Sequence, residues 1–276
     1  MSLAFTWSEI GGDRDVRSAA ANHRSSSSCA RYTNPSAGAA APVNTVASRL
    51  IPAVLTLGAI WSVLTVPASG AATTQVSSGS GWRATVRDFS AKHFRNPAWG
   101  YSHCVRDYVL ARELAAADHV TLDDDVLFAA AYLHDMAAFA PWKKQNVDHA
   151  DEAAQIVDTV LSGTGFPISK VDAVRGAIRT HMYDRDPVGS EALYLHDADA
   201  LDWLGAIGVA RVIALVDPND GSPDGPEAVR MLEDYLAHVP SRVLSPAGRA
   251  RVPQRKAELE HVLESLRGES QNLKNL

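Results

Sequence analysis

The 276-residue chain has few cysteines, no excess of positive charge and no alternating apolar pattern. Its two cysteines, Cys29 and Cys104, cannot build a disulfide framework. Cys104 reads as a small core residue. The formal net charge is −6, and residues 73–276 alone carry 21 Lys and Arg against 29 Asp and Glu. Affinity for a polyanion comes mostly from Lys and Arg, so this balance argues against a long nucleic acid partner. It leaves room for a small phosphorylated substrate, because a bound metal can supply positive charge. No stretch alternates long enough to make a strand, and no internal repeat is visible, which points to an all-α fold.

Four stretches of different composition follow one another. Residues 1–49 are rich in Ser, Ala, Asn and Gly, sustain no helical or strand period, and read as a disordered leader. Residues 50–66 are uncharged and almost wholly apolar, with Arg49 before them and small residues up to Ala72 after them. A basic flank, an apolar run and a small-residue exit describe a signal peptide, with an uncleaved membrane anchor as the alternative for residues 50–72. If this leader is real, the protein is exported, periplasmic or secreted, or else anchored through residues 50–66; otherwise it is cytoplasmic. Residues 73–81 read as a flexible linker.

From Trp82 to about residue 270 every segment reads as helix, in a compact multi-helix bundle. Residues 82–95 are amphipathic, and 101–118 place Val105, Val109, Leu110 and Leu114 on one side. A third helix starts at Thr121–Asp125 and runs through VLFAAAYLHD; it is apolar all round and therefore central. Helices at 148–162 and from Ser169 to about Met182 follow. A long one is then expected from Ser190 to Val216, and two more near 226–239 and 246–267.

His134-Asp135 ends the buried third helix. An ionised Asp beside a His among Ala, Tyr and Leu is costly unless paired, and a divalent metal resolves that cost. The dipeptide alone is weak evidence, since His196-Asp197 repeats it. Other candidates fall where elements begin, end or turn inward: His103, His149, His181 and Asp199. Helical ends converging on one point are a usual way to build a metal site in a bundle. Imidazole and carboxylate ligands suit Mn, Ni, Fe, Mg or Zn.

These motifs together resemble the HD superfamily of metal-dependent phosphohydrolases. The segment His103-Cys-Val-Arg106 is similar to its first-ligand helix, and Ala130-Ala-Tyr-Leu-His134-Asp135 to its core motif. Asp197-Ala-Asp199-Ala-Leu-Asp202-Trp-Leu-Gly-Ala-Ile-Gly-Val-Ala-Arg211 resembles the last-ligand helix of one bacterial branch, with Ala200 where that branch has Arg. The resemblance implies an HD-domain bundle over 82–270 with a C-terminal helical extension. It implies a metal held by His103, His134, Asp135 and Asp199, with Asp135, His149 and His181 as catalytic candidates. Three acids compete for the last ligand position. Asp197 and Asp199 point about 200° apart on a helix, whereas Asp199 and Asp202 share a face. The resemblance selects Asp199 and leaves Asp202 to orient a neighbour.

His149 and His181 either ligate a second metal or serve as acid or substrate contacts, so one metal or two remain open. Arg106 and Lys144, with Lys143, are candidates to hold a substrate phosphate. Arg179 and Arg185 read as surface, Trp142 and Trp203 as core or pocket wall, and His93, His119, His196, His238 and His261 as structural. The activity implied is hydrolysis of a phosphate ester or anhydride in a small substrate, a nucleotide among the candidates. Two rivals are an oxygenase holding two irons on the same scaffold and a binding module without catalysis.

Overall fold

The computed structural model describes residues 81–219 and 221–276. The leader, the apolar stretch at 50–66 and the linker expected at 73–81 lie outside the described residues, except that Gly81 opens the first helix. Among the described residues no helix is long and apolar enough to cross a membrane.

The described residues are helical throughout, without a strand. The order is α1 (Gly81–His93), α2 (Tyr101–Ala117), α3 (Asp124–Leu133), α4 (His149–Ile156), α5 (Asp158–Leu161), α6 (Val171–Arg179), α7 (Ser190–Asp202), α8 (Gly205–Ile213), α9 (Gly225–His238) and α10 (Pro246–Glu269). Helix α3 is the hub and touches α1, α2, α6 and α7. Every residue from Val126 to Leu133 is buried, as an all-round apolar sequence requires. The Asp123 side chain caps it by accepting from the backbone N–H groups of Asp125 and Val126. Trp82 fixes α1 on this hub, its ring meeting Phe128 edge-on at 5.4 Å and Phe166 at 4.8 Å. Rings of this size in such contacts dominate local core energetics.

Three sequence expectations change. Val109 is exposed, and the buried stripe of α2 is instead His103, Cys104, Asp107, Leu110, Ala111 and Leu114. Helix α2 therefore turns polar side chains inward against α7, its most extensive neighbour. Helix α6 stops at Arg179, so His181 lies in the turn beyond it rather than at its last position.

The third change concerns the helix expected from Ser190 to Val216, which breaks after Asp202. Leu204 is extended, and Gly205 adopts φ +68°, a conformation that favours glycine. A Cβ on Gly208 would meet the Trp203 carbonyl oxygen at 2.2 Å, so the corner also needs glycine there. The break has a consequence for the site. Nine residues along a straight helix would put Arg211 about 13 Å from Asp202 and on the opposite face. Folded back, Arg211 Nη1 lies 3.0 Å from Asp202 Oδ2.

Candidate metal centre

Five helices deliver the cluster. His103 and Asp107 stand one turn apart on the buried face of α2. His134 caps the C-terminus of α3, and Asp135 occupies the turn after it. Asp199 lies on α7, which is buried almost all round. His149 opens α4, where Asp148 caps the helix through Ala150 N and Asp151 N and so fixes the first turn. His181 follows α6. The structure thus brings together His103, His134, Asp135, Asp199, His149 and His181.

The imidazoles share a common arrangement. His134 Nδ1 donates to the Ala131 carbonyl at 2.9 Å, and His181 Nδ1 to the Ile178 carbonyl at 2.6 Å. A carbonyl only accepts, so Nδ1 carries the proton in each ring and Nε2 is free to present a lone pair. His103 Nδ1 is held by Asp202 Oδ2 at 2.9 Å. The Nε2 atoms of His103 and His134 then face each other at 3.2 Å. Two bare lone pairs at this distance repel, so a cation, either a proton or a metal, belongs between them.

The carboxylates complete the surroundings. His103 Nε2 lies 3.1 Å from Asp107 Oδ2, 3.3 Å from Asp199 Oδ1 and 3.6 Å from Asp135 Oδ2. Asp135 divides its oxygens. Its Oδ2 is 3.3 Å from His134 Nε2, while Oδ1 is 3.2 Å from His149 Nε2 and 3.6 Å from His181 Nε2. Two groups have ligand atoms mutually within 4.8 Å: His103, Asp107, His134 and Asp199, and His134, Asp135 and His181. All are buried. Both oxygens of Asp107 lack a hydrogen-bond partner, an arrangement that is costly for a buried carboxylate and fits a cation among these donors. The cluster could hold a metal.

Burial and the Arg211 charge disfavour the His103 imidazolium, but the carboxylates of Asp107, Asp199 and Asp202 outweigh them and raise its pKa to about 10. Burial lifts the Asp107 carboxyl to about 7, with Asp202 and Asp199 adding to the rise against the pull of His103. Asp135 is held well below the carboxylate range: burial opposes this, and His134, His149 and His181 together prevail. His149 and His181 part company. Burial disfavours both imidazoliums, yet Asp135 and Asp148 raise His149, while burial and the His134 charge leave His181 lowered.

Asp202 takes the orienting place expected of it. Its carboxylate receives His103 Nδ1 and also Arg106, through Nε at 2.9 Å and Nη2 at 2.8 Å. Arg211 is buried flat over the Trp203 ring, 3.5 Å from its centroid, and adds a charge contact to the same carboxylate. Its Nε donates to the Ala98 carbonyl. Arg106, a candidate for substrate phosphate, is thus placed on Asp202. Lys144, the other candidate, is half exposed and pairs with Glu152 at 2.7 Å. Asp197 faces away from the centre, accepting from His196 Nδ1 and from the backbone N–H groups of Leu244 and Ser245, so the second His-Asp pair ties α7 to the start of α10. Arg185 pairs with Asp148 and Asp151 at the surface.

Asp107 is the residue that the sequence reading missed. Its signal was the spacing of four from His103, which puts both on one helix face. Arg211 was missed as an actor, because its role depends on the corner at Gly205. A cavity of about 460 Å³ opens beside Ala138 and Phe139, with Arg95, Trp99 and Lys143 in its wall, but none of the clustered His or Asp residues lines it.

Residues 100–204 match the family model of the HD domain. Helix α1 and helices α8–α10 lie outside the matched residues. Among solved structures, a protein from Lactobacillus plantarum is 19% identical, with a TM-score of 0.54 over 70% of this chain and 98% of its own. Bacillus subtilis YpgQ, solved in complex with ADP, is 18% identical, with a TM-score of 0.52 over 68% of this chain and 97% of its own. A protein from an uncultured Thermotogales bacterium, described as an HD superfamily hydrolase, is 26% identical over 68% of this chain and 90% of its own, with a TM-score of 0.48. The first two likenesses show the fold. No curated protein matches the sequence.

Proposed function

We propose that the chain hydrolyses a phosphate ester or anhydride in a small substrate, using a divalent metal. The divided carboxylate of Asp135 carries this reading, with one oxygen toward His103 and His134 and the other toward His149 and His181. His103, His134, Asp135 and Asp199 would hold the metal, Mn, Ni, Fe, Mg or Zn. Asp135, His149 and His181 would hold a second metal. When bound, a divalent metal supplies positive charge that acidifies a water molecule and offsets charge building on the phosphate.

The chain's own residues do the rest. Asp202, braced by Arg106 and Arg211, fixes the ring of His103. Asp135 Oδ2, held ionised by the surrounding imidazoles, can accept a hydrogen bond from the attacking water and aim it. His149, whose pKa is raised and which retains some exposure, is suited to carry a proton to the leaving oxygen. His181, kept neutral, offers Nε2 as an acceptor or ligand. YpgQ was solved with ADP, so nucleoside phosphates head the substrate classes to test. Phosphate release from nucleotides and simple phosphomonoesters, measured over Mn²⁺, Ni²⁺, Mg²⁺ and Fe²⁺, tests the reading. No release with any metal rejects it.

Sharing of Asp135 between two imidazole sets also suits an oxygenase with two irons. Oxygen uptake that depends on iron, without phosphate release, would select that reading.

A further inference from the structure

We propose that Asp107 is an additional carboxylate ligand of this centre, making it a site for Mn²⁺ or Fe²⁺; the proposal rests on the metal reading above. Three observations carry it. Asp107 is 0% exposed, and neither of its oxygens accepts a hydrogen bond. Its Oδ2 lies 3.1 Å from His103 Nε2 and 3.8 Å from His134 Nε2, on the side where those two lone pairs converge. Its ligand atom belongs to the group formed with His103, His134 and Asp199, all mutually within 4.8 Å.

The neighbouring acids sharpen the contrast. Asp202 has His103, Arg106 and Arg211 as partners, and Asp197 has His196 and two backbone N–H groups. Arg106, adjacent to Asp107 in sequence, goes to Asp202. Asp107 faces the centre, where its polar neighbours are the ring nitrogens of His103 and His134. A carboxylate buried in this way is stabilised by taking up a proton or by a cation held beside it. With Asp107 included, the donors are two imidazole nitrogens and the carboxylates of Asp107, Asp199 and Asp135. Carboxylate-rich sets of this kind suit Mn²⁺ or Fe²⁺ better than the tetrahedral Cys and His sets of structural zinc.

The test compares wild-type and Asp107→Asn full-length protein, both stripped with EDTA, by calorimetric titration with Mn²⁺ and by melting with and without Mn²⁺. The amide keeps shape and removes charge. Melting of the metal-free variant first establishes that it is folded. Its Mn²⁺ affinity should fall by about tenfold or more, and its Mn²⁺-induced rise in melting temperature should shrink accordingly. If the Asn variant does not fold, Asp107→Ser is titrated in its place. Wild-type affinity for Mn²⁺ in the variant overturns the proposal while leaving the metal reading standing. A wild type that binds no Mn²⁺ overturns both.

Discussion

His103 and His134 point their Nε2 atoms at each other across 3.2 Å, each ring pinned from behind, one by Asp202 and the other by the Ala131 carbonyl. Neither ring can turn away without losing a buried hydrogen bond. A proton on one of these nitrogens relieves their repulsion, and a metal held by the two rings would do the same.

Metal removal should therefore destabilise the fold. A ligand at one hundred times its dissociation constant adds about 2.7 kcal/mol, which for a domain of this size raises the melting temperature by roughly 5–10 °C. Differential scanning calorimetry before and after EDTA, followed by Mn²⁺ addition, measures the rise. An unchanged melting temperature contradicts a resident metal.

The metal-free protein should lose stability as pH rises. His103 in the fold has its pKa raised from 6.5 to about 10, so its contribution is complete below pH 6.5 and is lost as pH climbs through 10. Asp107, raised from 3.8 to about 7, acts in the same sense and loses its contribution as pH climbs through 7. The EDTA-treated chain should melt progressively lower between pH 6.5 and 10. The metal-loaded chain should not, because the metal has displaced those protons. Parallel curves for the two forms would count against the pairing described.

Asp202→Asn tests the buttress. It leaves Arg106 and the buried Arg211 facing a neutral group and loosens His103. Removing one partner of a buried ion pair costs about 3–5 kcal/mol, measurable by urea unfolding. Metal affinity should fall about 10–100-fold. Asp197→Asn, at the second His-Asp pair, should lower stability and leave metal affinity unchanged.

His149 and His181 should separate kinetically once a substrate is found. His149→Gln removes the proton carrier and should lower kcat by about 10²–10⁴-fold while the affinity for the first metal persists. The alkaline limb of the kcat–pH profile should vanish with it. His181→Gln should leave that limb in place. An unaltered profile in His149→Gln excludes it as the acid.

Much of this centre is legible in the sequence, because the signals are local. The all-round apolar run of α3 marks the hub, and His134-Asp135 at its end marks the cost that a metal relieves. The Asp199–Asp202 spacing marks one shared face. What escapes depends on three dimensions. The apolar residues of α2 suggest a face containing Val109, whereas the helix buries His103 and Asp107 because α7 offers a polar surface. Arg211 reaches Asp202 only because Gly205 turns the chain back. Arg106, one turn from His103, reads equally well as a phosphate contact or a buttress until Asp202 is placed beside it.

Phosphate hydrolysis with a metal on the His103, His134, Asp135 and Asp199 side chains is the activity proposed for this centre. Phosphate release from nucleotide and phosphomonoester substrates, by Mn²⁺-loaded wild type and by a folded His134→Ala/Asp135→Ala double variant, tests it most directly. Release by the wild type, abolished by EDTA and absent in the variant, is the expected result. Equal release by the two proteins, or none from the loaded wild type, would contradict it.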